Sequence, residues 1–117
     1  MILGIGTDIV EIVRFERSIS NPAFLKRCYT AGEIEYCAPK GAVSFAGLFA
    51  AKEAVAKALG TGFRGFSPAD IEITHNQAGQ PLVNLNDNIK TPPNSRFMLT
   101  IAHEKTYATA TAIFVLE

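Results

Sequence analysis

The sequence predicts an α+β fold, with N-terminal helices and one long central helix packed on a mostly antiparallel sheet. Two patterns carry that expectation. Between Asp8 and Gly60, helix-start signals recur ahead of apolar residues at helical spacing. From Ile71 onward, short runs alternate apolar and polar residues and are separated by turn residues. A third observation bounds the size: 117 residues suit a single domain, 1–117, with a real core. No repeat with a period of about 20–50 residues is visible.

The elements follow in order. Met1 to Gly6 is a short apolar run with two glycines and reads as a buried strand. Asp8 and Glu11 have the spacing of a capping box, which predicts a helix starting at Asp8 with Ile9, Ile12 and Val13 inward and Phe15 at the edge. Arg14 and Arg17 then point to the open side. Asn21-Pro22 is a cap followed by a helix-starting proline, opening a short helix through Phe24, Leu25 and Cys28. Thr30 and Glu33 repeat the capping-box spacing and predict a third short helix to about Cys37, broken by Pro39 and Gly41. Ser44 is the expected cap of the long helix and Gly60 its stop. Thr61 to Ser67 is a glycine-containing loop. Ile71–Thr74 and Pro81–Leu85 form a hairpin around the turn His75–Gly79. After the polar loop Asn86–Ser95, Phe97–Ala102 and Tyr107–Leu116 are strands, the last with Ala108, Ala110, Ala112 and Phe114 on one face.

Composition narrows the function. Eleven basic and eleven acidic residues leave no net charge, which argues against bulk nucleic-acid binding. No apolar run has the roughly 18 uncharged residues of a membrane span, so no membrane association is expected. MILGIGTDIV lacks the basic region and cleavage site of a signal peptide, so a cytoplasmic location is expected. Cys28 and Cys37 match neither a disulfide framework nor a zinc spacing and read as reduced thiols.

The chemistry concentrates on the segment SFAGLFAAKEAVAKALGTG, Ser44 to Gly62. At about 100° per residue, Phe45, Leu48, Phe49, Val55, Ala56 and Leu59 make one stripe, and Ala and Gly fill most of the remaining circumference. Such a helix is buried on all sides, yet it carries Lys52, Glu53 and Lys57. Charges there lose hydration and need partners, and a metal ion or an anionic ligand would serve. Glu53 and Lys57, one turn apart, also have the spacing of an i,i+4 ion pair. Asp8 reads as a cap that can double as a ligand. His103 closes a strand, where a surface role competes with a catalytic one. His75 lies in a polar turn and is expected to be solvated. Gly60-Thr61-Gly62 follows a helix, so it does not match a phosphate loop, which precedes one. Arg14, Arg17, Lys26 and Arg27 form a basic cluster suited to an acidic protein partner.

Taken together, GIGTDIVEI with Arg14, FLKRCYTAGEIEYC, FAGLFAAKEAVAKALGTGF, the DIEI hairpin and LTIAHEKTYATATAIF resemble, in order and over essentially the whole chain, the holo-(acyl-carrier-protein) synthases, the small bacterial-type 4'-phosphopantetheinyl transferases. The resemblance implies transfer of the 4'-phosphopantetheine arm of coenzyme A to a serine of apo acyl carrier protein, with adenosine 3',5'-bisphosphate released. It implies Asp8 and Glu53 as Mg²⁺ ligands, and catalytic roles for Glu53, Lys57 and His103. It places Lys57 near the transferred phosphate and Lys57, Gly60, Gly62 and His103 in the coenzyme A site. Lys40, Gly62 and Asn84 to Asn86 are further candidates for the adenine and 3'-phosphate pocket. It also implies a homotrimer with sites between subunits, and a carrier-docking face bearing Arg14, Arg17, Lys26 and Arg27. One departure is Thr100-Ile101-Ala102-His103, where the family usually has Ser-Ile-Ser-His. Ala102 supplies no hydroxyl, so a rearranged coenzyme A contact is expected there.

The chemistry suits these residues. Mg²⁺ takes one or two carboxylates alongside phosphates and waters, and a lysine can stabilise growing phosphate charge. Two acceptors for the serine proton are open, Glu53 and a metal-bound water. Two other classes compete with the enzyme: an oligomeric module that binds coenzyme A or carrier without reaction, and a scaffold in which Lys52, Glu53 and Lys57 form an inter-subunit salt network.

Overall fold

The computed structural model describes residues 1–117. In chain order it contains β1 (Ile2–Glu11), α1 (Ile12–Ser18), α2 (Pro22–Cys28), α3 (Ala31–Cys37), α4 (Ala42–Ala58), a 3₁₀ turn (Pro68–Asp70), β2 (Ile71–His75), β3 (Pro81–Leu85), β4 (Ser95–His103) and β5 (Tyr107–Leu116). The strands form an antiparallel sheet of order β1-β5-β4 and a separate β2-β3 hairpin. The α+β expectation therefore holds, and helix α4 is the central layer, packed on the sheet.

The N-terminal segment departs from its reading. The strand does not stop at Gly6 but runs through Asp8 to Glu11, paired with β5 from Ile5↔Ile113 to Glu11↔Tyr107. Thr7, Ile9 and Val10 are β-branched and favour that extended ladder. The helix starts only at Ile12, whose amide donates to Thr106 O at 2.9 Å, and Glu11 makes no side-chain cap. Asp8 is therefore a strand residue. Helix α1 buries Ile12 and Phe15, whereas Ile9 and Val13 lie 61% and 57% exposed. The strand is one-sided, not buried: Ile2 and Ile5 face outward.

Other local signals held. Asn21 Oδ1 accepts from Ala23 N at 2.9 Å. Thr30 and Glu33 close a reciprocal capping box. Helix α4, however, is not capped by Ser44. Gly41 occupies that place with φ of 88°, a conformation that favours glycine. The Ser44 hydroxyl instead lies 3.4 Å from Cys37 Sγ. Gly60, at φ of 87°, ends the helix as expected. Cys28 and Cys37 are free and buried, and burial pushes both thiols up.

The core lies where α4 meets the sheet. Ala50, Ala51, Ala54, Val55 and Ala58 pack toward Ala108, Ala110, Ala112 and Phe114, all buried. Small side chains on both sides let backbones approach closely. The approach is tightest along β1, where Gly4, Gly6 and Asp8 alternate onto one face. A Cβ built on Gly4 would lie 1.9 Å from Ala58 O, and one on Gly6 would lie 2.0 Å from Ala54 O. The opposite face of the sheet carries Ile5, Ile9 and Met98, all more than half exposed, around a row of Thr7, Thr111 and Thr100.

Candidate functional site

The glycine row on β1 delivers Asp8 to α4. With no side chains at Gly4 and Gly6, the strand sits against the helix backbone, and the next residue on that face is a carboxylate. Lys57 Nζ lies 3.3 Å from Asp8 Oδ1 and donates to Thr7 O at 3.0 Å. The ion pair is half-open: the side chains are 50% and 19% exposed for Lys57 and Asp8. Lys57 thus reaches across to the strand, and the alternative i,i+4 pair with Glu53 is not formed.

Glu53 stands one turn before Lys57 on the same flank of α4. Its carboxyl is pushed above the usual range, first by burial and then by the negative charge of Asp8, with Lys57 pulling the other way. Two carboxylates beside one ammonium form an under-neutralised cluster. The donor set is two oxygen-ligand residues, which suits Mg²⁺ with substrate oxygens and water completing its shell. The structure brings Asp8, Glu53 and Lys57 together. Gly60 and Gly62 fold back at the same end of the helix, their amides donating to Lys57 O at 2.9 Å and Ala56 O at 3.1 Å.

Lys52 has a different partner from the one anticipated. It is fully buried, and its ammonium meets Glu33 Oε1 at 2.6 Å, so neither a metal nor an anionic ligand is needed there. Burial lowers the Lys52 pKa and Glu33 opposes that effect.

His103 does not join Asp8, Glu53 and Lys57 within the chain. It lines a separate cavity of about 510 Å³ with Lys40, Tyr36, His75, Ser44 and Gly47. Gly47 and Lys57 are ten residues apart on α4, about 15 Å along the axis. His75 is not merely solvated: its ring stacks on Tyr36 at 4.3 Å between centroids, and Lys40 Nζ lies 4.0 Å from the Tyr36 ring centroid. Burial, then the Lys40 charge, lowers the His75 pKa. Asn84 and Leu85 line another groove, about 800 Å³, between β3 and β4, where Arg96 is the only charge. Asn86 instead donates to Asp70 Oδ1 at 2.6 Å. Ala102 alternates to the outer sheet face opposite Thr109 and is not among the residues lining the His103 cavity.

Arg14, Arg17, Lys26 and Arg27 are all exposed on α1 and α2, and none is in an ion pair. Sequence reasoning missed Glu33 as the partner of Lys52 and Tyr36 as the partner of His75. Glu33 was visible only as a capping-box member, and nothing local announces a partner 19 residues away.

Known proteins resemble the chain over nearly its whole length. A curated holo-[acyl-carrier-protein] synthase of Clostridium botulinum (strain Eklund 17B) is 49% identical over 119 aligned positions, covering 97% of each chain. A holo-(acyl-carrier-protein) synthase of Bacillus anthracis, crystallised in complex with CoA (3',5'-ADP), superposes with TM-score 0.85 at 33% identity, covering 100% of this chain and 99% of its own. The enzyme of the same name from Neisseria meningitidis superposes with TM-score 0.85 at 33% identity, covering 98% and 99%. Residues 4–112 match the family described as the 4'-phosphopantetheinyl transferase superfamily, and the chain belongs to it.

Proposed function

We propose that this enzyme moves the 4'-phosphopantetheine group of coenzyme A onto a serine of apo acyl carrier protein and releases adenosine 3',5'-bisphosphate. The observation that supports the reading most is the meeting of Asp8 and Glu53, 45 positions apart in the sequence, beside Lys57. The serine oxygen bonds to the phosphorus that carries pantetheine, and the bond from that phosphorus to the bridging diphosphate oxygen breaks. Mg²⁺ held by Asp8 and Glu53 would neutralise the diphosphate and stabilise the leaving group. Lys57, half-exposed and one turn from Glu53, places an ammonium where phosphate charge grows. The serine proton would go to Glu53 or to a water at the same site.

Lys40 and His103 line a cavity that meets α4 at Gly47, about 9 Å along the axis from Glu53 and about 15 Å from Lys57. A second copy joining through the outer sheet face would bring its cavity to the first copy's carboxylates. Exposed Ile5, Ile9 and Met98 favour such an association, and a closed ring of three copies is the assembly we assign. A binding module without turnover would draw support from the missing hydroxyl at Ala102, but Ala102 lies on the outer sheet face and does not line the cavity. The inter-subunit salt network loses Lys52, which is paired within the chain.

The test is direct. Purified protein with coenzyme A and Mg²⁺ should raise the intact mass of apo carrier by one phosphopantetheine, and light scattering should give three times the chain mass. An unmodified carrier rejects the activity, and a monomeric mass rejects the shared site. The unpaired basic face is the docking surface for the acidic carrier. Reversing Arg14 and Arg17 together to Glu should raise KM for the carrier about tenfold, with KM for coenzyme A unchanged and a weaker dependence on salt. An equal rise in both KM values would place the docking surface elsewhere.

A further inference from the structure

We propose that Lys52 is a positioning residue of the transfer site: bonded to Glu33 and to two backbone carbonyls, it fixes the rotation of α4 and with it the direction in which Glu53 meets Asp8. The inference rests on the function proposed above. Its geometry is complete. Lys52 Nζ donates to Glu33 Oε1 at 2.6 Å, Pro68 O at 2.9 Å and Ile71 O at 2.5 Å, so all three ammonium protons are used. Glu33 is equally engaged. Its Oε1 also accepts from Thr30 N at 2.9 Å, and its Oε2 accepts from Ile73 N at 2.7 Å. One buried pair thereby ties α3, α4, the 3₁₀ turn and β2 to each other.

Stability alone does not account for it. Apolar side chains of similar volume commonly replace a buried ion pair at no loss, because both charges are desolvated. Most of the buried residues of α4 are Ala or Gly, with Phe45, Leu48 and Val55 as its larger apolar anchors. Directional bonds along the helix are few, and Lys52 makes three of them. Such bonds resist turning of the helix. Glu53 follows Lys52 by about 100° around the helix. With side-chain ends about 6 Å from the axis, a rotation of about 10° moves the carboxylate by about 1 Å. Errors of about 1 Å at a reacting centre cost about 10²-fold in rate.

The experiment compares Lys52→Met and the double variant Lys52→Met/Glu33→Met with the native sequence. Mn²⁺ binding without coenzyme A is read by electron paramagnetic resonance, alongside melting temperature, kcat and both KM values. The double variant should stay folded but melt lower, since Thr30 N and Ile73 N lose their acceptor and Pro68 O and Ile71 O their donor. It should bind Mn²⁺ about tenfold or more weakly and lose about 10²-fold in kcat, with KM for the carrier unchanged. A folded double variant with native Mn²⁺ affinity and native kcat overturns the proposal. Loss of folding in both variants also overturns it, because the pair is then a plain scaffold. Failure of the underlying function looks different: the native protein would bind no Mn²⁺ that Glu53→Gln removes.

Discussion

Glu53→Gln should abolish transfer and, in metal-free neutral buffer, give a protein that melts at a higher temperature than the native one. The loss of activity should reach about 10²–10³-fold, the scale of several kcal/mol of charge stabilisation from a held cation. The gain in stability follows from the raised carboxyl of Glu53, which burial and the Asp8 charge hold above the ordinary range. A group raised in this way binds its proton more tightly folded than unfolded. Stability therefore falls as pH rises from the ordinary carboxylate range through the raised value. Above that raised value the native protein carries the full cost and the glutamine variant carries none. Because Glu53 keeps part of its surface in water, the difference is about 1 kcal/mol or less. It should vanish at pH values below the ordinary carboxylate range, where both side chains are neutral, and Mg²⁺ should raise the melting temperature of the native protein alone. Turnover retained in Glu53→Gln would take this residue out of the site; identical melting curves in chelator would dissolve the like-charge pair.

Gly6→Ala should be, with Gly4→Ala, among the most damaging single methyls in the chain. The added Cβ would stand 2.0 Å from Ala54 O and 2.8 Å from Ala58 N, both backbone atoms of α4 that no rotamer change can move. Strand and helix must separate, at a cost of about 3 kcal/mol, or about 10–15 °C in melting temperature. Separation also carries Asp8 away from Glu53, so the residual folded protein should have lost activity. Gly32→Ala is the control. Its Cβ would sit 3.4 Å from Glu72 Oε2 in a helical turn, and the change should be neutral or mildly stabilising. Equal melting of Gly6→Ala and Gly32→Ala would mean that β1 does not lie against α4 as described.

The contrast between those glycines shows what a one-dimensional reading can reach. Caps at Asn21 and Thr30 were legible because the partners lie within three residues, and the physics is local. The all-round burial of α4 was legible because its residues are small or apolar in every direction. Asp8 misled because Asp followed three residues later by Glu satisfies the capping-box pattern, while the competing force, pairing with Ala110, comes from the far end of the chain. Gly41 displaced Ser44 as the cap because a left-handed backbone outweighs a hydroxyl three residues on. Lys52, Glu53 and Lys57 could be recognised as charges needing partners. Which partner each would take depended on how α3 and β1 lie against α4, and no spacing encodes that. The cavity lined by Lys40 and His103 was the least legible part, since Tyr36 and His75 meet only through the packing of α3 against the hairpin.

That last contact gives the protein a built-in optical label. The chain has no tryptophan and three tyrosines, so its ultraviolet emission is tyrosine emission. Tyr29 is buried with its hydroxyl bonded to Phe45 O, and Tyr107 lies apart on β5. Tyr36 alone forms a wall of the cavity, sandwiched between the Lys40 ammonium and the His75 ring. A nucleotide entering there disturbs one fluorophore of three, and occupancy becomes readable in unlabelled protein.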